Sequence, residues 1–173
     1  LRTHRGTLNG RHAGGGNHRG SIFRLHVGTA ILRKEGLEKQ YSTWGLGASA
    51  KKEIRNLEYP IEKKVTQHIG SMLFLWLEVN DAPGPDSERA YIERNSIALL
   101  SNYGRLGIAS AIDPPSKVWL GNYCRNKIVC ESGLWNVDHV TESHIDPNFL
   151  EKLEMKVSSY GKYSERFSSG MGK

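Results

Sequence analysis

The chain has 173 residues, 38% of them hydrophobic and 24% charged, with 24 Lys and Arg against 18 Asp and Glu. That length suits one domain with a sizeable core and excludes two comfortable ones, and no apolar run approaches the roughly 20 residues of a membrane-spanning helix. Two cysteines, Cys124 and Cys130, exclude a disulfide framework and point to a reducing, cytoplasmic setting.

Residues 1–35 carry seven Arg or Lys against Glu35 alone, while the rest of the chain has 17 basic and 17 acidic residues, so the whole excess of +6 sits in this segment. Arg-rich charge beside a Gly-rich loop points to a polyanion partner; the plain alternative is a solvated basic face. Leu1-Arg2-Thr3-His4-Arg5-Gly6 reads as the last turn of a basic helix closed by Gly6, at a chain start that lacks Met and looks cut. Residues 6–20 read as a loop. Gly14-Gly15-Gly16 lets the backbone approach something closely, and Asn17-His18-Arg19 offers groups suited to a phosphate or a base edge.

Ser21 is expected to cap a helix from Ile22 to Lys34, weakened by Gly28 and ended by Gly36. Residues 40–50 are small and surround Trp44. A second helix is expected from Pro60 to Ile69, with Ile61, Val65 and Ile69 on one face, Pro60 at its first position and Gly70 closing it. Phe74 to Val79 is the best strand, and residues 80–85 break it. Asp86 or Ser87 caps a third helix, about Glu88 to Asn102, with Ile92, Leu99 and Tyr103 in its core stripe. Val118-Trp119-Leu120 and Ile128-Val129 have the length of strand edges. Asp146-Pro147 opens a last helix to about Tyr160, with Phe149, Leu150, Leu153 and Val157 facing inward, before a polar, frayed tail.

Several constellations carry chemistry. Glu93 lies one position off the stripe of the third helix, where a carboxylate facing a cleft would suit Mg²⁺; the alternative is an exposed Glu paired with Arg89 one turn earlier. Cys124, Cys130, His139 and His144 are spaced C-x5-C-x8-H-x4-H, wider than a zinc site wants, so the cysteines read as core residues. Asp138-His139 lacks the later His of a histidine-asparagine-histidine nuclease. The triple glycine lacks the Lys-Ser/Thr ending of a P-loop.

The successive segments "LRTHRG", "GGGNHRGSIFRLHVG", "WGLG", "PIEKKVTQHIGSMLFLWLEV", "GPDSERAYIERNSIALLSNYG", "DPPSKVWLG" and "SGLWNVDHV" resemble an uncharacterised branch of the GIY-YIG nuclease family, over nearly the whole chain to Asp146. The resemblance implies a mixed α/β (α+β) fold, a short, mainly antiparallel sheet flanked by helices, in a domain over residues 1–145 followed by a C-terminal helix and basic tail over 146–173. It implies metal-dependent hydrolysis of DNA phosphodiester bonds with Mg²⁺ or Mn²⁺, in a restriction, repair or mobile-element setting. Glu93 matches the family's metal-binding Glu, and His4 the His of its basic first helix. Asn102 is the nearest candidate for a later family Asn, at a shorter spacing. The two naming strands with their tyrosines belong before that first helix, so the resemblance implies a fragment.

In this reading the catalytic set is Glu93, His4, Arg24 and Asn102, with Glu93 on the metal. Arg2, Arg5, Arg11, Asn17, His18 and Arg19 contact DNA. The competing expectations are a nucleic-acid-binding module without chemistry and a structural protein whose basic segment only solubilises it.

Overall fold

The structure, a computed structural model, describes residues 16–73, 77–105 and 113–168. It is helical. A short 3-10 turn, His18–Gly20, leads into α1, Ile22–Glu35. Then come α2, Lys52–Gly70, and α3, Glu88–Leu100. A second 3-10 turn, Leu120–Tyr123, precedes α4, Lys127–Ser132, and the chain ends in α5, Phe149–Ser168.

Local chemistry sets these boundaries. The Ser21 hydroxyl accepts from the Arg24 N–H at the start of α1, and Gly36 closes that helix in the left-handed region at φ 69°. Ser87 caps α3 by accepting from the Ala90 N–H. Helix α2 begins well before Pro60, eight residues earlier than its apolar pattern suggests. Its buried stripe is Glu58, Ile61, Glu62, Val65 and Ile69, so carboxylates occupy positions where a hydrophobic residue would have revealed the helix. Pro60 lies on the exposed side, where its ring does not meet the core.

The expected α/β fold with a short antiparallel sheet is corrected here: among the described residues there is no strand. Two of the apolar runs are too short to act as strands and are taken by other elements. Leu120 enters the second 3-10 turn, and Ile128-Val129 enters α4, capped by the Asn126 side chain and ended by Gly133 at φ 73°. Residues 74–76 of the expected strand lie outside the described residues, and 77–79 are irregular. In this irregular stretch the Val79 carbonyl accepts from the Arg89 guanidinium.

The main core is formed by α1 and α2 with the second 3-10 turn. Val27, Ala30, Ile31 and Leu32 of α1 pack with Ile61, Val65 and Ile69 of α2, and with Tyr41 and Leu120. The four side chains of α1 bury a broad face rather than a narrow stripe.

A smaller cluster joins α3 to α5. The Tyr91 ring meets Phe149 edge-on with centroids 5.9 Å apart, its hydroxyl donates to Asp146 at 2.8 Å, and the Asp146 N–H donates to Asn95. The Lys152 ammonium, with the Asn148 N–H and the Tyr91 hydroxyl, holds the Asp146 carboxyl down to about 2. Phe149 is buried as expected, but Leu150 and Val157 are 60% and 53% exposed. No helix among the described residues is long and apolar enough to cross a membrane.

Candidate active site

The Asn-His-Arg segment folds inward. The Asn17 side chain caps the first turn by accepting from the Arg19 N–H at 2.8 Å. His18, 2% exposed, receives Glu62 twice: its backbone N–H donates to Glu62 Oε1 at 2.7 Å, and its Nδ1 lies 2.8 Å from the same oxygen. The Gly45 N–H donates to His18 Nε2 at 3.2 Å. Nε2 is therefore an acceptor, and Nδ1 carries the proton directed at Glu62. Trp44 stacks on the imidazole, with centroids 3.8 Å apart and planes 25° from parallel.

Both arginines of this segment are also committed to α2. Arg19 grips Glu58 with a two-pronged fork, Nη1 at 2.5 Å and Nη2 at 2.9 Å, and also donates to the carbonyls of Thr43 and Leu46. Arg24 grips Glu62 Oε2 through Nε and Nη2, at 3.1 and 2.6 Å, and reaches the Glu62 carbonyl and the Thr66 hydroxyl. Burial pushes both carboxyls up, but the donors outweigh it. His18 and Arg24 hold Glu62 below its ordinary value, and Arg19 and Thr43 do the same for Glu58. The close approach at Gly16 is an internal one, because a Cβ there would stand 2.5 Å from Arg24 Nη1.

Where it is described, the basic cluster of residues 1–35 divides in two: the Arg19 and Arg24 side chains turn inward, whereas Arg33 and Lys34 are exposed and lie over the second 3-10 turn. Arg33 donates to the carbonyls of Tyr123 and Cys124, and Lys34 lies 5.9 Å above the Tyr123 ring. Sequence reasoning did not single out Glu58 and Glu62. Two acids one turn apart inside an otherwise apolar stripe are a signal for buried cations, and Arg19 and Arg24 supply them.

Glu93 is in a different state. It is exposed on α3, and Arg89, one turn earlier, does not pair with it. Arg89 donates instead to Asp81 and to the carbonyl of Val79. Glu93 has no ion-pair or hydrogen-bond partner among the described residues. Asn102, just past the end of α3, is 2% exposed. Its amide donates to the Asp113 carbonyl at 2.8 Å, and its backbone N–H donates to the Ser132 carbonyl, while its Oδ1 has no partner among the described residues.

Arg2, His4, Arg5 and Arg11 lie outside the described residues. Cys130 Sγ donates to the carbonyls of Gly121 and Cys124, and His139 faces Glu142. No group of three or more potential metal ligands occurs among the described residues.

A family model described as the GIY-YIG domain matches residues 1–163. The chain belongs to the GIY-YIG family. Membership in this nuclease family makes nucleic acid the substrate class and endonucleolytic cleavage the activity class, and GIY-YIG nucleases generally use a divalent metal ion. No curated protein and no solved structure matches the chain. Within the GIY-YIG match, the described residues divide into a buried frame, Arg19-Glu58 and Arg24-Glu62, and an outward-facing carboxylate, Glu93.

Proposed function

We propose that the chain is a metal-dependent endonuclease that hydrolyses DNA phosphodiester bonds, with Glu93 as the carboxylate that holds Mg²⁺ or Mn²⁺. The observation that supports this most is the unengaged carboxylate of Glu93, inside a family match that spans residues 1–163. Mg²⁺ is held by one or two carboxylates and completes its shell with water and substrate phosphate, so a single free carboxylate fits it without a protein cage. When bound, the cation supplies neutralisation of the scissile phosphate.

The remaining roles fall to the chain itself. His4 orients or deprotonates the attacking water, and Arg2, Arg5 and Arg11 contact DNA phosphates. Asn102 is a positioning residue. Its amide ties the end of α3 to the chain at Asp113, which fixes the helix that presents Glu93. Arg24 acts through Glu62, and His18 and Arg19 shape the turn from which exposed Gly20 faces outward.

The test is cleavage of supercoiled plasmid by the purified protein. Nicked and linear products are expected with Mg²⁺ and none with a chelator, and Glu93→Gln is expected to lower the rate roughly a hundredfold or more. Cleavage that survives Glu93→Gln overturns the assignment of Glu93. DNA retention without cleavage by the unaltered protein favours the binding-module reading instead.

A further inference from the structure

Helix α2 has two working faces. Its inner face carries Glu58 and Glu62, which neutralise Arg19 and Arg24. On its outer side Lys52, Arg55, Tyr59 and Lys63 are all exposed. At 3.6 residues per turn these four positions share one side of the helix, with Asn56 and Gln67 beside them.

No acid interrupts this row. One turn beyond Lys52 is Asn56, one turn beyond Arg55 is Tyr59, and one turn beyond Lys63 is Gln67. Two acids stand within three residues of Arg55 along the helix: Glu53 is exposed but two residues away and so about 160° around the helix from Arg55, and Glu58 is buried and held by Arg19. Lys52, Arg55 and Lys63 have no ion-pair partner among the described residues, whereas neighbouring Lys64 pairs with Glu35. A helix face that serves only solubility ordinarily mixes the two signs at turn spacing, and this one keeps a single sign around an aromatic hydroxyl. Arg55 and Lys63 are eight residues apart, about 12 Å along the axis. The major groove of a B-form duplex is about 12 Å wide.

We propose that this outer face of α2 is a docking surface for the phosphate backbone of duplex DNA. Arg55 and Lys63 meet phosphates on the two sides of a groove, Lys52 extends the contact, and the Tyr59 hydroxyl donates between them. The partner's identity rests on the nuclease reading above; the surface itself rests on the unpaired charge.

The experiment is binding of a labelled duplex, followed by fluorescence polarisation across a salt series, for the unaltered protein and the triple variant Lys52→Gln, Arg55→Gln, Lys63→Gln. A matched control removes equal charge elsewhere, at the exposed Lys39, Lys117 and Lys127. All six positions are exposed, and thermal melting checks that the variants fold alike. The α2 variant is expected to lose tenfold or more in affinity at fixed salt. Its slope of log affinity against log salt should be shallower by roughly 2 to 3, about 0.9 for each phosphate contact removed. The control should bind like the unaltered protein.

Equal losses in both variants, an unchanged α2 variant, or retention on anionic phospholipid vesicles without duplex binding would each overturn the proposal. Plasmid cleavage by Glu93→Gln, measured separately, bears on the nuclease reading and leaves the salt series intact as a test of the surface.

Discussion

Arg24 and Glu62 meet inside the core, with Nη2 2.6 Å from Oε2 and both side chains less than a tenth exposed. They lie 38 residues apart and join α1 to α2 at the point where His18 and the preceding glycine also converge. Two buried charges of this kind specify one arrangement of the two helices, because any other arrangement leaves a charge unpaired.

Removing one partner should therefore be costly. Glu62→Ala strands the Arg24 guanidinium and two His18 donors, and is expected to destabilise the fold by about 3 to 5 kcal/mol in urea denaturation. Replacing both partners together, Arg24→Met with Glu62→Leu, should cost less than the sum of the single changes, since the uncompensated charge disappears with its partner. A single Glu62→Ala variant of unaltered stability would contradict this picture of the frame.

Stability should fall in two stages on acidification. Burial holds the His26 imidazole below its ordinary 6.5, so as pH drops below 6.5 the unfolded chain takes up a proton that the folded chain refuses. That stability is whole above 6.5 and drains beneath it. Glu58 and Glu62 are held below their ordinary 4.5, so their contribution is whole above 4.5 and is lost as pH falls further. Denaturation midpoints across this range should show both descents, with His26→Leu reducing the upper, which His68, held below 6.5 by burial and Lys34, also feeds, and Glu62→Gln reducing the lower. An unchanged pH profile in His26→Leu would rule out its part.

Gly28 sits within α1, where Ala would ordinarily add roughly 1 kcal/mol of helix stability. Here a Cβ would stand 2.1 Å from Cζ2 of Trp44, the ring stacked on His18. Gly28→Ala is expected to destabilise the protein by about 1 to 3 kcal/mol and to shift its tryptophan emission. Gly70→Ala, with nothing within 4 Å, should be neutral or mildly stabilising and serves as the comparison. A stabilised Gly28→Ala variant would mean that Trp44 is not seated against α1.

The contrast between Gly28 and Glu62 also marks what was legible in the sequence. Helices α1 and α3 could be placed by their caps, Ser21 and Gly36 on one and Ser87 on the other, because capping depends on residues a few positions apart. The first half of α2 could not, because Glu58 and Glu62 stand in its core stripe and only become sensible once Arg19 and Arg24 are opposite them. For the same reason His18, Arg19 and Arg24 read as outward-facing groups: nothing local announces an acid some 40 residues away. The two short apolar runs failed as strands on length, since Ile128-Val129 is two residues long and flanked by a good helix cap at Asn126, and Leu120 opens a 3-10 turn. The helix of Glu93 was legible, but its freedom from Arg89 depends on Asp81, eight residues before that arginine.

The most direct test is to measure DNA retention and Mg²⁺-dependent cleavage side by side for the protein and its Glu93→Gln variant. The account predicts that the variant retains duplex DNA with unaltered affinity in the absence of metal, yet cuts roughly a hundredfold more slowly or not at all when Mg²⁺ is present. Cleavage at the unaltered rate by Glu93→Gln would contradict it, and would return Glu93 to the rank of an ordinary exposed helix residue.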